Sequence, residues 1–464
     1  MPQEPVAEAY KIIQEYLKKI EPVVYGTYFS DILYDLVIPC ATYFYYQNRE
    51  YTKTDYFSYL KRYLESEFEN TRIFSLFNRN RILVQSYDAL LPEDVRKDME
   101  RELLGDVHSS SIKIKCGDYI VYRNTLNYAL FLNNLSKTLP EFSCFIPKFH
   151  KIDGWIYRNF ISLQKDKVSL KEYYYELGRF IAFILFLRAL DINSENVIAL
   201  TYPIAFDLEI ILSPEYADFK YDIKATGLLS GQTLDNNSAV LGGMYVVYNY
   251  LKPVLFLAKD ESPRIKWKTP SMRKFYNLPV SHKSDHPFKY IEQILKGYNN
   301  GFKYLTEQIN SVKEIVRSTD FNVRIFVRPT RFYKFLTSEY SYPQTFLKTA
   351  SADFFAKRLA ASPLLEPGKI HKKTLVKYEV EELNKLSIPF FYSNVHSKEI
   401  FAADGTVVGL MSTSPAVVWK NFADQSPEFF NKQGKTIYSL LESNYKKYNR
   451  KKVPHGENTY FIKE

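Results

Sequence analysis

Cysteine is scarce in this sequence: Cys40, Cys116 and Cys144 stand far apart, with no CxxC pair and no Cys/His grouping. That spacing excludes a disulfide framework and a structural zinc site, and it points to a reducing compartment. The N-terminus, Met1-Pro2-Gln3-Glu4-Pro5, lacks a basic region followed by an apolar stretch, so no secretory signal is expected. The longest apolar run, residues 180–187, falls far short of the roughly 20 residues that span a bilayer. Internal repeats and low-complexity linkers are lacking as well. These absences predict a cytoplasmic, soluble protein without a membrane span.

Aromatic residues are plentiful instead, with 39 Tyr and 34 Phe in 464 residues, a composition opposite to that of disordered chains. A chain of this length can bury a sizeable core, arranged as about two or three domains or as one elaborated unit. Its 62 basic and 52 acidic residues leave a net charge of +10 that is spread thinly, so nucleic acid is not required as a partner. The densest basic run, Lys446, Lys447, Arg450, Lys451 and Lys452, reads as a solvated helix end. A net positive surface favours an acidic peptide or a nucleotide phosphate.

Over residues 6–104 apolar positions recur at helical spacing, as in Ile12, Ile13, Tyr16, Leu17 and Ile20. The pattern changes at Gly105. Ile112 and Ile114 alternate with Lys113 and Lys115, Cys116-Gly117-Asp118 signals a turn, and residues 119–123 alternate again, which predicts a β-hairpin. Ser169 with Glu172 forms a capping-box spacing that opens a long buried helix through Leu190. Two short apolar runs, 197–200 and 204–206, flank a turn at Thr201-Tyr202-Pro203. Helical spacing returns over 241–258, with a break at Pro253, and over 286–316 and 330–336.

Three clusters combine residues that can carry chemistry. Asp191-Ile192-Asn193-Ser194-Glu195-Asn196 is followed by Asp207-Leu208-Glu209. A hairpin turning near Tyr202 would set Asn196 opposite Asp207 at its open end, an amide and a carboxylate of the kind that hold magnesium beside nucleotide phosphates. Asp191, at the end of the long helix, would orient or deprotonate a hydroxyl nucleophile. The same residue types at turns also cap local backbone groups. The second cluster, Gly105-Asp106-Val107-His108, precedes the hairpin ending in Tyr122-Arg123 and reads as a lid over a nucleotide or as a surface Asp/His pair. In the third, Arg324 and Arg328 alternate with Ile325 and Val327 ahead of a helix starting at Pro329-Thr330. Both guanidiniums would leave one face of a short strand and bind an anion; an edge strand with solvated arginines fits the pattern too.

In order and spacing these clusters resemble the dehydratase domain of class II lanthipeptide synthetases. The residues that carry the resemblance are Gly178-Arg179 with Ala182, Asp191 through Ala199, and Tyr202-Pro203 with Asp207-Leu208-Glu209. Upstream they are Gly105-Asp106-Val107-His108 and Ile120-Val121-Tyr122-Arg123. Downstream they are Thr226-Gly227-Leu228-Leu229, Arg324 with Arg328, Thr330 and Tyr333, Ile388-Pro389-Phe390-Phe391, and Gln433 with Ile437, Ser439 and Leu440.

The resemblance implies an α+β, lipid-kinase-like bilobal fold: a small β-rich N-lobe over residues 105–168, a mainly helical C-lobe with elimination elements over 169–464, and additional N-terminal helices over 1–104. It implies ATP and Mg2+, no zinc, and a leader-bearing precursor peptide whose Ser and Thr are phosphorylated and then lose phosphate to give dehydroalanine and dehydrobutyrine. By position, Asp191, Asn196, Asp207 and Glu209 would serve phosphorylation, the last three as metal ligands. Arg123 stands at a phosphate-contacting lysine, Asn193 at a histidine and Ser387 at an acidic residue. Asp106, His108, Arg324 and Thr330 fall at positions tied to elimination. The family's zinc-dependent cyclase domain is not expected in this chain, and a separate cyclase or other modifying enzyme is an expected partner. The replaced residues keep two alternatives open, a peptide kinase without elimination and an inactive precursor-binding protein.

Overall fold

In the computed structural model the described residues are 4–20, 25–47, 55–97, 101–108, 111–123, 126–161, 168–193, 196–217, 220–229, 252–258, 262–268 and 286–450. They form an α+β protein. The chain opens with α1 (Glu4–Ile20), α2 (Gly26–Gln47), α3 (Tyr56–Ser66), α4 (Arg72–Ala89) and the short α5 (Glu93–Lys97). Side-chain caps set two of the starts: Asp55 accepts from the backbone N–H of Phe57 and Ser58, and Thr71 from that of Phe74. Residues of α2 are buried on nearly every side, so this helix sits among the others rather than on their surface. Rings fill the space between, with Tyr10 stacked on Tyr34 at 4.5 Å and a run of contacts through Tyr45, Tyr59, Tyr63 and Phe68.

An antiparallel sheet follows, made of β1 (Arg101–His108), β2 (Ser111–Cys116), β3 (Tyr119–Tyr122), β4 (Phe149–Ile152) and β5 (Trp155–Asn159) in the order β1-β2-β3-β5-β4, with α6 (Tyr128–Thr138) between β3 and β4. The sheet begins at Arg101 rather than at Gly105, because residues 101–104 pair with Cys116 back to Lys113. Helical spacing in the sequence hides this, since Leu103 and Leu104 are apolar on both faces of a strand covered from both sides. Ile112, Ile114, Val121 and Trp155 face the N-terminal helices, whereas Ile120, Tyr122 and Ile156 face a second core. Polar side chains on that second face must therefore find partners inside the protein.

Beyond the sheet run α7 (Leu170–Phe186), the two-stranded hairpin β6 (Val197–Ala199) and β7 (Pro203–Ala205), and a second hairpin of β8 (Lys252–Leu257) and β9 (Pro263–Lys268). The last is a correction: the described part of 241–258 is strand, not helix, while 241–251 lies outside the described residues. Pro253 is tolerated because, among the described residues, β8 pairs with β9 alone, and Leu255 N–H donates to the hydroxyl of Tyr34 at 3.1 Å. The helices α8 (Ile291–Glu307) and α9 (Ile309–Ser318) come next, and α8 packs along α7 at a backbone-close crossing. A Cβ on Gly178 would lie 2.0 Å from the Ile294 carbonyl oxygen and one on Gly297 1.9 Å from that of Tyr175, so neither position admits a side chain.

The remainder comprises β10 (Asn322–Arg324), α10 (Thr330–Tyr340), α11 (Pro343–Phe346), α12 (Ser351–Ala361), β11 (Gly368–Ile370), α13 (Lys372–Leu383), β12 (Phe391–Asn394), β13 (Glu399–Ala402), β14 (Val407–Met411), α14 (Pro415–Asp424) and α15 (Ser426–Arg450). Its strands form a second antiparallel sheet in the order β10-β12-β13-β14-β11. No helix among the described residues is long and apolar enough to cross a membrane.

Candidate functional site

The chain leaves α7 in an uncommon backbone conformation, with φ of 49° at Arg188, 61° at Asp191 and 48° at Leu212. Left-handed conformations outside glycine cost about 1–3 kcal/mol each and persist only where the surroundings impose them. Here the imposition is visible. Leu212 N–H donates to Leu187 O at 2.8 Å, Leu190 N–H to Ile210 O at 3.0 Å and Ile192 N–H to Thr226 O at 2.7 Å. Behind Ile192 sits Gly227, at φ 89°, where an added Cβ would press on the Ile192 backbone at 3.2 Å. The Thr-Gly turn thus exists to brace the Asp191 loop.

Within that loop the Asn193 amide donates to Asp191 Oδ1 at 2.9 Å, and Asn196 Nδ2 donates to the Asp191 carbonyl at 2.7 Å. In the hairpin Val197 pairs with Ala205, and Phe206 N–H donates to Asn196 O at 3.1 Å. Asn196 consequently faces Phe206, and Asp207 lies one residue beyond the expected opposite position. The three-residue strands leave Asp207 on the irregular segment that follows.

Asp207 and Glu209 converge on Lys113 of β2. Its ammonium lies 2.7 Å from Asp207 Oδ2 and 2.7 Å from Glu209 Oε1, and Glu209 Oε2 takes Arg324 Nη1 at 3.1 Å. Asp207 Oδ1 is buried and has no hydrogen-bond partner among the described residues. Burial alone would push the Glu209 carboxyl up, but Lys113 and then Arg324 outweigh it and hold that carboxyl at about 2. Asp207 goes the other way, raised by burial and by the neighbouring Glu209 charge against the pull of Lys113. Burial opposes the Lys113 charge, yet the two acids keep it above the ordinary lysine range.

Other expected site residues are distributed around this cluster. His108 is buried, its Nδ1 2.8 Å from Ile388 O and its ring 5.4 Å from that of Phe390. The Arg324 guanidinium lies 5.1 Å from the same Phe390 ring, and His108 contributes to lowering Glu209, so the three side chains meet around Phe390. Thr330 is the first residue of α10, with Pro329 at the cap position. The side chain of Asp106 lies outside the described residues. Arg123 is exposed and extends over Trp155 at 5.4 Å. Ser387 donates to Glu382 Oε2 at 2.7 Å, which sets a buried carboxylate directly behind the hydroxyl.

The expectation of two arginines side by side requires correction. Strand β10 stops at Arg324, and Arg328 turns into the interior, where Nε donates to Glu379 at 2.8 Å. Its remaining nitrogens serve the carbonyls of Ser362, Pro363 and Leu359, and the guanidinium is fully buried against Glu379, away from the Arg324 cluster. Only Arg324 joins the site. Two contributors escaped the sequence reading. Lys113 alternates with Ile112 and Ile114 and looks solvent-facing, because alternation cannot reveal that both faces of a sheet are covered, and Arg158, buried on β5, adds a positive charge that draws the Asp207 carboxyl down.

The profile of a domain of unknown function, DUF4135, matches residues 105–394, a span that includes Lys113, Asp191, Asp207, Glu209 and Arg324. The chain belongs to this family. A relative described as lacticin 481/lactococcin biosynthesis protein LcnDR2, from Lactococcus lactis subsp. lactis, is 21% identical over 363 residues. The match takes in 66% of this chain and spans 37% of the length of that relative. DUF4135 membership and this relative agree with the resemblance to class II lanthipeptide synthetases carried by the motifs.

Proposed function

We propose that this chain works in lanthipeptide modification as an ATP-dependent dehydratase, phosphorylating Ser and Thr of a leader-bearing precursor peptide and then eliminating the phosphate. The observation that carries the reading is the buried junction at which Asp207 and Glu209 meet a cation of the first sheet and Arg324, adjoining the braced Asp191 loop. In this reading the first sheet serves as the β-rich lobe of a lipid-kinase-like bilobal fold.

The donor set fits magnesium: two carboxylates, one with a buried oxygen that has no partner among the described residues, and the Asn196 amide, whose nitrogen is engaged with the Asp191 carbonyl. Bound there, magnesium would neutralise charge on the nucleotide phosphates during transfer. Asp191, held by Asn193, accepts the proton of the peptide hydroxyl as its oxygen attacks the γ-phosphorus. In the second half-reaction the α-proton is removed, the Cβ–O bond breaks and phosphate departs toward the Arg324 guanidinium. By the resemblance, His108, buried with its ring beside the same Phe390 that Arg324 contacts, stands where that proton would be taken.

The test is mass spectrometry of a leader-bearing precursor peptide incubated with the protein, ATP and Mg2+. Wild type should yield a loss of about 18 Da per site and Asp191→Ala no change, whereas Arg324→Lys, which preserves the Glu209 pair, should accumulate a gain of about 80 Da. A wild type that never dehydrates the peptide overturns the reading. One observation favours a second reading, a precursor-binding protein without catalysis: Lys113 fills the acid pair with a cation of the protein's own.

A further inference from the structure

We propose that Lys113, and not Arg123, is the cation by which the first sheet contacts the nucleotide phosphates, and that before nucleotide arrives its ammonium holds the place between Asp207 and Glu209. The proposal rests on the nucleotide-binding reading above. Sheet parity decides between the two cations. Ile114 pairs with Val121, and Val121 with Tyr157, so Lys113 shares a face with Tyr122, Ile156 and Arg158. Arg123 continues the opposite face, that of Val121 and Trp155, and its guanidinium rests on the Trp155 ring. A one-residue slip would be needed to turn it toward the acids, and β3 is paired on both sides.

The placement of Lys113 suits a movable contact. Its backbone is fixed between β1 and β3, while four methylenes let a compact charge pivot from carboxylate to phosphate. Both acids lie within reach at 2.7 Å, and Asp207 keeps a buried oxygen with no partner among the described residues, so the pair is built to bind more positive charge than one ammonium supplies. A metal arriving alone must displace Lys113 with no anion to receive it. Metal arriving with phosphates gives the ammonium a new partner. Metal and nucleotide binding are therefore positively coupled through this residue, and coupling of this kind is reciprocal.

The test compares the full chain with Lys113→Met, Lys113→Arg and Arg123→Met, reading Mn2+ alone by electron paramagnetic resonance and Mg2+·ATP by calorimetry. Lys113→Met should bind Mn2+ alone at least about tenfold tighter and Mg2+·ATP at least about tenfold more weakly. Arg123→Met should change either by less than about twofold. Should Lys113→Met fail to fold, Lys113→Arg carries the decision: it should keep Mn2+ binding weak and still lower Mg2+·ATP affinity several-fold, since a forked guanidinium cannot follow the same path. Wild type that binds Mg2+·ATP with Lys113→Met or Lys113→Arg unaltered, or with Arg123→Met equally impaired, overturns this proposal and leaves the nucleotide reading standing. Wild type that binds no Mg2+·ATP removes both.

Discussion

Around the N-terminal helices the buried polar atoms are largely tyrosine hydroxyls at the tips of apolar rings, whereas around Asp207 and Glu209 they are full charges. Tyr56 meets Thr42, and Tyr25 meets Asp88, at 2.9 and 2.5 Å. Such a core gains from ring burial, and each hydroxyl needs one partner. In the other region Lys113, Arg324, Asp207 and Glu209 form a buried network of four charges that is costly to desolvate. The difference teaches where to look for function: a region that keeps costly charges has a use for them.

The comparison breaks first under truncation. Phe77→Ala, at a fully buried ring between α2 and α4, should destabilise the fold by about 3–5 kcal/mol in urea titration while the folded fraction keeps wild-type Mg2+·ATP affinity. Lost affinity in the folded fraction would mean the two regions act as one. Glu209→Gln should cost a similar amount, roughly 3–5 kcal/mol, because Lys113 and Arg324 lose their shared acid. A penalty under about 1 kcal/mol would show that the charges are solvated after all.

Acid and alkali should separate the regions. Lys113 and Arg324 hold the folded Glu209 carboxyl well below its unfolded value near 4.3, so its contribution is complete above that value and drains as pH falls below it. Burial pushes the phenols of Tyr34 and Tyr87 up to about 12. Their contribution is complete below about 10, the unfolded value, and is lost as pH climbs toward 12. Chemical denaturation across both limits, repeated on Glu209→Gln and Tyr34→Phe, should flatten the acid limb in one and soften the alkaline limb in the other. Unchanged limbs would contradict the assignment. The smallest effect belongs to Tyr56→Phe, about 1 kcal/mol for one neutral hydrogen bond to Thr42.

Much of the site could be read in the sequence because its backbone is local. The Ser169 cap, the helix through Phe186, the Asp191 loop and the short hairpin all follow from spacing within about 40 residues, and the structure forms each of them. The strand 252–257 was misread as helix, since a short apolar run carries no period of its own and only pairing with 263–268 decides it. Arg328 was misread for a related reason. Its partner Glu379 is 51 residues away, and no local pattern announces a buried ion pair.

The sequence by itself determined the mixture of helix and strand, the motifs that lead to the family, and the turn residues that brace Asp191. Only the tertiary structure decided which cation meets the acids. Lys113 and Asp207 are 94 positions apart, on a strand and an irregular segment brought together by packing the first sheet against the second core. Which face of that sheet is inner depends on what covers the other side, and alternation along one strand holds no record of it.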